Sequence, residues 1–140
     1  ILACEVYQLT FDEIRIAIES RMVAWDGVPV AYDGAPNGPS VDAAIANQEP
    51  WVRLTIQHGD SFVAGLGSEP CVRRPGLIMC QVFTKDNQGS RQSYQIADAL
   101  AAHLQFWRTG HLETLASSVQ RTGPSDGWYQ LNVSTPFRVG

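Results

Sequence analysis

Gly76-Leu77-Ile78-Met79-Cys80-Gln81-Val82-Phe83-Thr84 is the stretch on which the fold turns. Side chains alternate across an extended strand, so Leu77, Met79 and Phe83 share one face while Ile78, Cys80 and Val82 share the other. Both faces are apolar and both need cover, which predicts a central strand. Upstream, residues 51–57 alternate too, with Val52, Leu54 and Ile56 opposite Trp51, Arg53 and Thr55, until His58-Gly59-Asp60-Ser61 breaks the run. Downstream, Tyr129, Leu131 and Val133 alternate with Gln130, Asn132 and Ser134. The turn-rich segment 122–127 joins this closing strand to another expected in residues 113–120, as a hairpin. Residues 28–32 read as a short strand at a sheet edge, because Pro29 offers no ladder donor.

Two helical segments accompany these strands. Thr10-Phe11-Asp12-Glu13 places a hydroxyl three residues ahead of a glutamate, the pattern that satisfies the free amides at a helix start. Ile14, Ala17, Ile18, Met22 and Trp25 then recur at three- and four-residue steps, an apolar stripe ended by Asp26-Gly27. A second stripe, Ile96, Ala97, Leu100, Leu104 and Trp107, follows the turn at residues 86–89 and is expected to end near Thr109-Gly110. Residues 33–49 read as a long surface connection with a helical turn around 41–46. Residues 62–75 read as a second excursion, with Phe62 and Leu66 as apolar anchors and Arg73 and Arg74 as groups able to grip a partner's carboxylates. The expected architecture is a single α+β domain over residues 1–140. Its sheet is mixed or largely antiparallel, of about five strands, with two helices packed on one face. The other face is left over, and Trp51, Trp128 and the outward half of the central strand belong to it. Either the long loops fold back over that face or another copy of the chain packs there.

Composition narrows the function classes. At 140 residues, 44% hydrophobic and 17% charged, the chain is long enough to bury a core without metal or disulfide staples. Its apolar runs are too short for a spanning helix, so no membrane partner is expected, and an opening that contains Glu5 and has no positively charged start makes a poor signal peptide. A net charge of −4 disfavours a broad phosphate-binding surface. Cys4, Cys71 and Cys80 lack the close pairing of a zinc or redox motif and fit reduced thiols in a cytoplasmic setting. His58, Asp60 and Ser61 are too close in sequence for a triad gathered from separate segments, and read as a strand-ending turn. His58, His103 and His111 are scattered, so no metal site is indicated, and Gly65-Leu66-Gly67 lacks the remaining residues of a phosphate-cradling loop. No catalytic residue and no cofactor is expected. A small-molecule site under residues 57–75 stays open as an alternative, and would bring His58, Asp60 and Arg53 together.

Several stretches carry a resemblance: Pro50-Trp51-Val52-Arg53-Leu54, Arg74 with residues 76–83, Gly89 followed by Ile96-Ala97-Asp98, and Gly127-Trp128-Tyr129-Gln130-Leu131-Asn132-Val133 with Pro136-Phe137. Together, over residues 10–140, they resemble the tail terminator proteins of long-tailed bacteriophages. The resemblance implies a sheet with two helices on one side and a structural, non-enzymatic role in the virion tail, with assembly in the host bacterial cytoplasm. It implies a homo-oligomeric ring, generally of six copies, that caps the tail tube, stops its polymerisation and presents a surface to the head connector. The expected partners are therefore the chain itself, the tail tube protein and the head-tail connector protein. The resemblance also implies that DNA passes through the lumen without specific binding, which an acidic balance would favour. Another head-tail connector or a minor tail protein is the alternative within the same setting. The expected interface residues are Phe62, Leu66, Arg73, Arg74, Trp51 and Trp128. Residues 1–9 fall outside the resemblance and read as a possible N-terminal extension.

Overall fold

A computed structural model describes residues 9–63 and 72–140 of the chain. Thr10 opens α1 (Phe11–Val23) as its spacing from Glu13 requires. Its Oγ1 accepts from the Glu13 N–H at 3.1 Å, and the Glu13 carboxylate accepts from the Thr10 N–H at 2.9 Å. Ile14, Ile18 and Met22 turn into the core, with Ala17 and Trp25 half-buried beside them. The second apolar stripe forms α3 (Arg91–Leu104), which buries Ala97, Leu100 and Leu104. The two helices are clasped reciprocally. The Arg21 guanidinium donates to the His103 carbonyl at 2.8 and 3.1 Å, and His103 Nε2 donates to the Arg21 carbonyl at 2.6 Å. His103 is thus a structural histidine. Helix α3 stops at Leu104, short of the expected Thr109-Gly110, because Thr114 intervenes: its hydroxyl takes the Leu104 carbonyl and accepts from the Trp107 N–H.

Among the described residues the sheet has eight strands rather than about five: β1 (Val30–Tyr32), β2 (Trp51–His58), β3 (Phe62–Val63), β4 (Val72–Lys85), β5 (Arg108–Thr109), β6 (Leu112–Thr114), β7 (Ser118–Ser125) and β8 (Trp128–Val139). Their order is β1-β2-β4-β8-β6-β5, with β3 on β4 and β7 on β8. The three additional strands come from two interruptions and one short edge strand, β5. β2 pairs with β4 from Gly76 to Phe83, and β3 continues along the same strand at Arg73 and Val72, past a break at residues 59–61. β7 and β6 likewise pair with successive parts of β8, past a break at residues 115–117. Among the described residues β1 and β2 pair in parallel and every other pairing is antiparallel. Among the described residues β1 lies at the sheet edge, and Pro29 immediately precedes it.

β7 and β8 form the expected hairpin, but β7 runs on to Ser125 with a bulge between Arg121 and Gly123. The turn shrinks to Asp126-Gly127, whose φ values of 50° and 84° suit a two-residue hairpin loop. The central strand also starts earlier than residue 76, so Arg73 and Arg74 belong to β4 instead of a loop. At Gly76 the strand passes beneath the Phe137 ring; a Cβ there would meet that ring and the Gln57 carbonyl oxygen at 2.5 Å each.

Helices α1 and α3 cover one face of the sheet. Ile78, Cys80 and Val82 of β4 join Val52 and Leu54 of β2 and Leu131 and Val133 of β8 beneath them, all buried. Burial pushes the Cys80 thiol up from 9.0 to about 12, so it stays protonated. Cys4 and Cys71 lie outside the described residues. A third helix, α2 (Gly38–Ala46), occupies the segment read as a long connection with one helical turn, and it lies on the opposite face. The reason is topological. Parallel neighbours such as β1 and β2 need a crossover that passes over a sheet face, and Val41 and Ala44, one turn apart, give the crossover an apolar side. Among the described residues no helix is long and apolar enough to cross a membrane.

Candidate functional site

The face opposite α1 and α3 divides into two ends. At one end α2 seals a small cluster in which Val41 and Ala44 bury Ala31 and Trp51. The Trp51 ring stacks on Phe83 at 4.5 Å and meets Trp128 edge-on at 6.4 Å, while the Arg53 guanidinium lies 5.3 Å from the Trp51 ring. Trp51 is only 5% exposed, and its buried indole N–H has no hydrogen-bond partner. Part of the leftover face is therefore covered by the chain itself, and Trp51 is engaged inside it.

Between the two ends the surface is polar. Gln130 donates to Asn132 at 2.9 Å, Asn132 donates to Thr122 at 3.2 Å, and the Ser134 hydroxyl lies 3.5 Å from the Met79 sulfur. The far end opens into a groove of about 530 Å³ where β3, β4, β5, β6 and β8 converge. Phe62, Pro75, Leu115 and Pro136 supply its apolar lining, and Arg73, Arg108, His111, Glu113 and Arg138 its charged and polar groups. Arg138 holds Glu113 at 2.5 Å. That hydrogen bond, aided by the charges of Arg138 and Arg108, keeps the Glu113 carboxyl below its ordinary range.

Alternation along β4 separates the two arginines that sequence reading took together. Arg73 is exposed and lines the groove. Arg74 points to the other side, donates to the Leu9 carbonyl and lies 4.6 Å from the Phe11 ring centre. Arg74 thus fastens the entry to α1. Phe62 lines the groove and Trp128 is half-buried against Trp51; Leu66 lies outside the described residues. The groups of the small-molecule alternative do not converge. Arg53 sits over Trp51 and Phe83 on the α2 face, whereas His58 shares the face of Leu54 and Ile56 and packs edge-on against Phe11 at 5.0 Å and Phe137 at 6.2 Å. A shallower depression on the α1 side, about 400 Å³, is lined by Asp12, Arg15, Glu19 and Asp33 near His58. Among the described residues, no group of three or more His, Cys, Asp or Glu side chains is placed to hold a metal ion.

Sequence reading missed Arg108, His111, Glu113 and Arg138. Arg108, His111 and Glu113 share the β5–β6 hairpin, whose register sets Arg108 opposite Glu113, and the β6–β8 register then sets Glu113 opposite Arg138. Their one linear signal is the alternation that puts Pro136 and Arg138 on the same side of the closing strand.

None of the curated proteins matches the chain. A solved structure of 20% sequence identity superposes with a TM-score of 0.70, covering 94% of this chain and 96% of that one, which shows a shared fold. A family model described as phage tail terminator protein matches residues 13–138. The chain belongs to that family, whose members are structural proteins of the virion tail.

Proposed function

We propose that the chain closes the end of the tail tube as a homo-oligomeric ring of about six copies, stopping tube polymerisation and offering the head connector a docking surface. The family match over residues 13–138 is the observation that carries this reading. The molecule's surface is compatible with it. A closed ring needs two unlike patches on each subunit, and at the far end of the α2 face the described residues leave Phe62, Arg73 and the groove beside them uncovered. The role asks for shape and complementarity, and no covalent step. The excess of acidic residues suits a lumen through which DNA slides without adhering.

The test is reconstitution with the tail tube protein. Tubes polymerised with this chain present are expected to stop at a uniform length, and electron microscopy should show a ring at one end. Tubes of unrestricted length, with the protein bound elsewhere or absent, would transfer the chain to a connector or minor tail role.

A further inference from the structure

We infer that, in the ring proposed above, the outer stripe of α1 of one copy lies in the arginine-lined groove of the next. The inference rests on the ring reading and adds to it which two surfaces meet.

Among the described residues, the groove presents three guanidinium groups, Arg73, Arg108 and Arg138, against the side-chain carboxylate of Glu113, which Arg138 already holds. Beside them Phe62 is 56% exposed. Its occupant must therefore bring acids and apolar groups together. α1 carries that combination on the side turned away from the core. Asp12, Ile16, Glu19 and Val23 follow one another at steps of four, three and four residues, so they form a single stripe along the helix. Ile16 is 48% and Val23 72% exposed, although the helix also has a fully apolar inner side. Exposed apolar residues alternating with acids are what a helix laid in a groove displays. Arg15 pairs with both Asp12 and Glu19, at 2.7 and 3.1 Å, on the solvent side. Such exposed pairs are weak and leave carboxylate lone pairs for a second guanidinium.

The wider charge pattern points the same way. Residues 11–49 hold seven acids against two arginines, whereas residues 105–140 hold three arginines against two acids. The acid-bearing stripe of α1 and the groove lie on opposite faces of the sheet, the α1 side and the α2 side. A two-fold pairing of grooves would oppose arginine to arginine. Groove to α1 is a head-to-tail contact, the kind that generates rings.

The experiment uses two charge-reversed chains. One carries Arg73→Glu and Arg108→Glu; the other carries Asp12→Lys and Glu19→Lys. Arg138 is left in place because it holds Glu113. Native mass spectrometry and electron microscopy follow ring formation on tail-tube ends, and circular dichroism confirms that each variant melts cooperatively. Each double variant alone is expected to lose ring occupancy by about tenfold or more, as close like charges impose across an interface. An equimolar mixture should restore it, since the reversed groove of one variant then meets the reversed helix of the other, giving rings in which the two alternate. Rings unaffected by either reversal, or a mixture that fails to recover, would overturn this pairing while leaving the ring itself standing. A wild-type chain that caps tubes without forming a ring would overturn both.

Discussion

The two ends of the α2 face are built from similar residue types and treated in opposite ways. At one end Trp51, Phe83 and Trp128 gather aromatic surface that α2 closes over. At the other, Phe62, Leu115 and Pro136 gather apolar surface that the described chain leaves open, rimmed by arginines. The difference follows from strand order. β1 and β2 run parallel, so a helix must cross the face beside them. β5 and β6 form one hairpin and β7 and β8 another, connections that bring no such cover. Aromatic side chains alone therefore do not mark an interface; the connection lying above them decides whether they serve the core or a partner.

Truncating an aromatic at each end breaks this comparison most directly. Trp51→Ala removes a nearly fully buried indole and leaves a cavity under α2, a loss of about 3–5 kcal/mol in the free energy of unfolding. Phe62→Ala, at an exposed site, should stay within about 0.5 kcal/mol of wild type in urea titration, and should weaken ring assembly instead. Equal costs at the two sites would end the contrast.

Gly76→Ala probes the central strand where it reaches the groove. The new Cβ would sit 2.5 Å from both the Gln57 carbonyl oxygen and the Phe137 ring. The backbone atom cannot give way, so overpacking should cost about 1–3 kcal/mol or more, measured by thermal or chemical unfolding. A smaller loss would mean that β2 and β4 separate easily at their groove end.

How much of this was legible beforehand depends on whether the signal is local. The capping pair of Thr10 and Glu13, the stripes of α1 and α3, and the two apolar faces of β4 are set by neighbours within a few residues, and they appear where the spacing placed them. α2 was hidden because its Gly-Pro lead and alanine-rich body look like a connection; the need for a crossover arises only once β1 and β2 pair in parallel. The groove was hidden for the same reason. Arg73, Arg108 and Arg138 are 30 or more residues apart in sequence, and strand register alone makes them neighbours. The separation of Arg73 from Arg74 was implicit in strand alternation, but only after β4 was known to begin at Val72.

The face sealed by α1 and α3 supplies a third reference. Cys80, buried beneath it, ionises only at about 12 in the folded chain, against 9.0 when free of burial. Above pH 9 the unfolded state sheds this proton and the native state keeps it, so the unfolded state binds fewer protons and stability falls as pH rises. The contribution is intact below about pH 9 and is lost progressively towards pH 12, at up to about 1.4 kcal/mol per pH unit. Urea unfolding across that window should show a shallower decline for Cys80→Ala than for wild type. Equal slopes would mean that water reaches the thiol and that the helix-covered face is no better closed than the α2 end.

The smallest expected effect discriminates what kind of closure α2 provides. The Trp51 indole N–H is buried without a partner, and an unsatisfied donor of this kind costs about 1–3 kcal/mol. Trp51→Phe removes that donor and keeps a ring against Phe83, while giving up part of the apolar contact, a loss of similar size. The two effects oppose each other, so the variant should unfold within about 1 kcal/mol of wild type despite the several kcal/mol lost by Trp51→Ala. A loss as large as that of the alanine variant would mean that the larger ring's shape is indispensable beneath α2. A near-neutral result would locate the stability of the closed end in aromatic contact alone, the same contact that Phe62, at the open end, has left to offer.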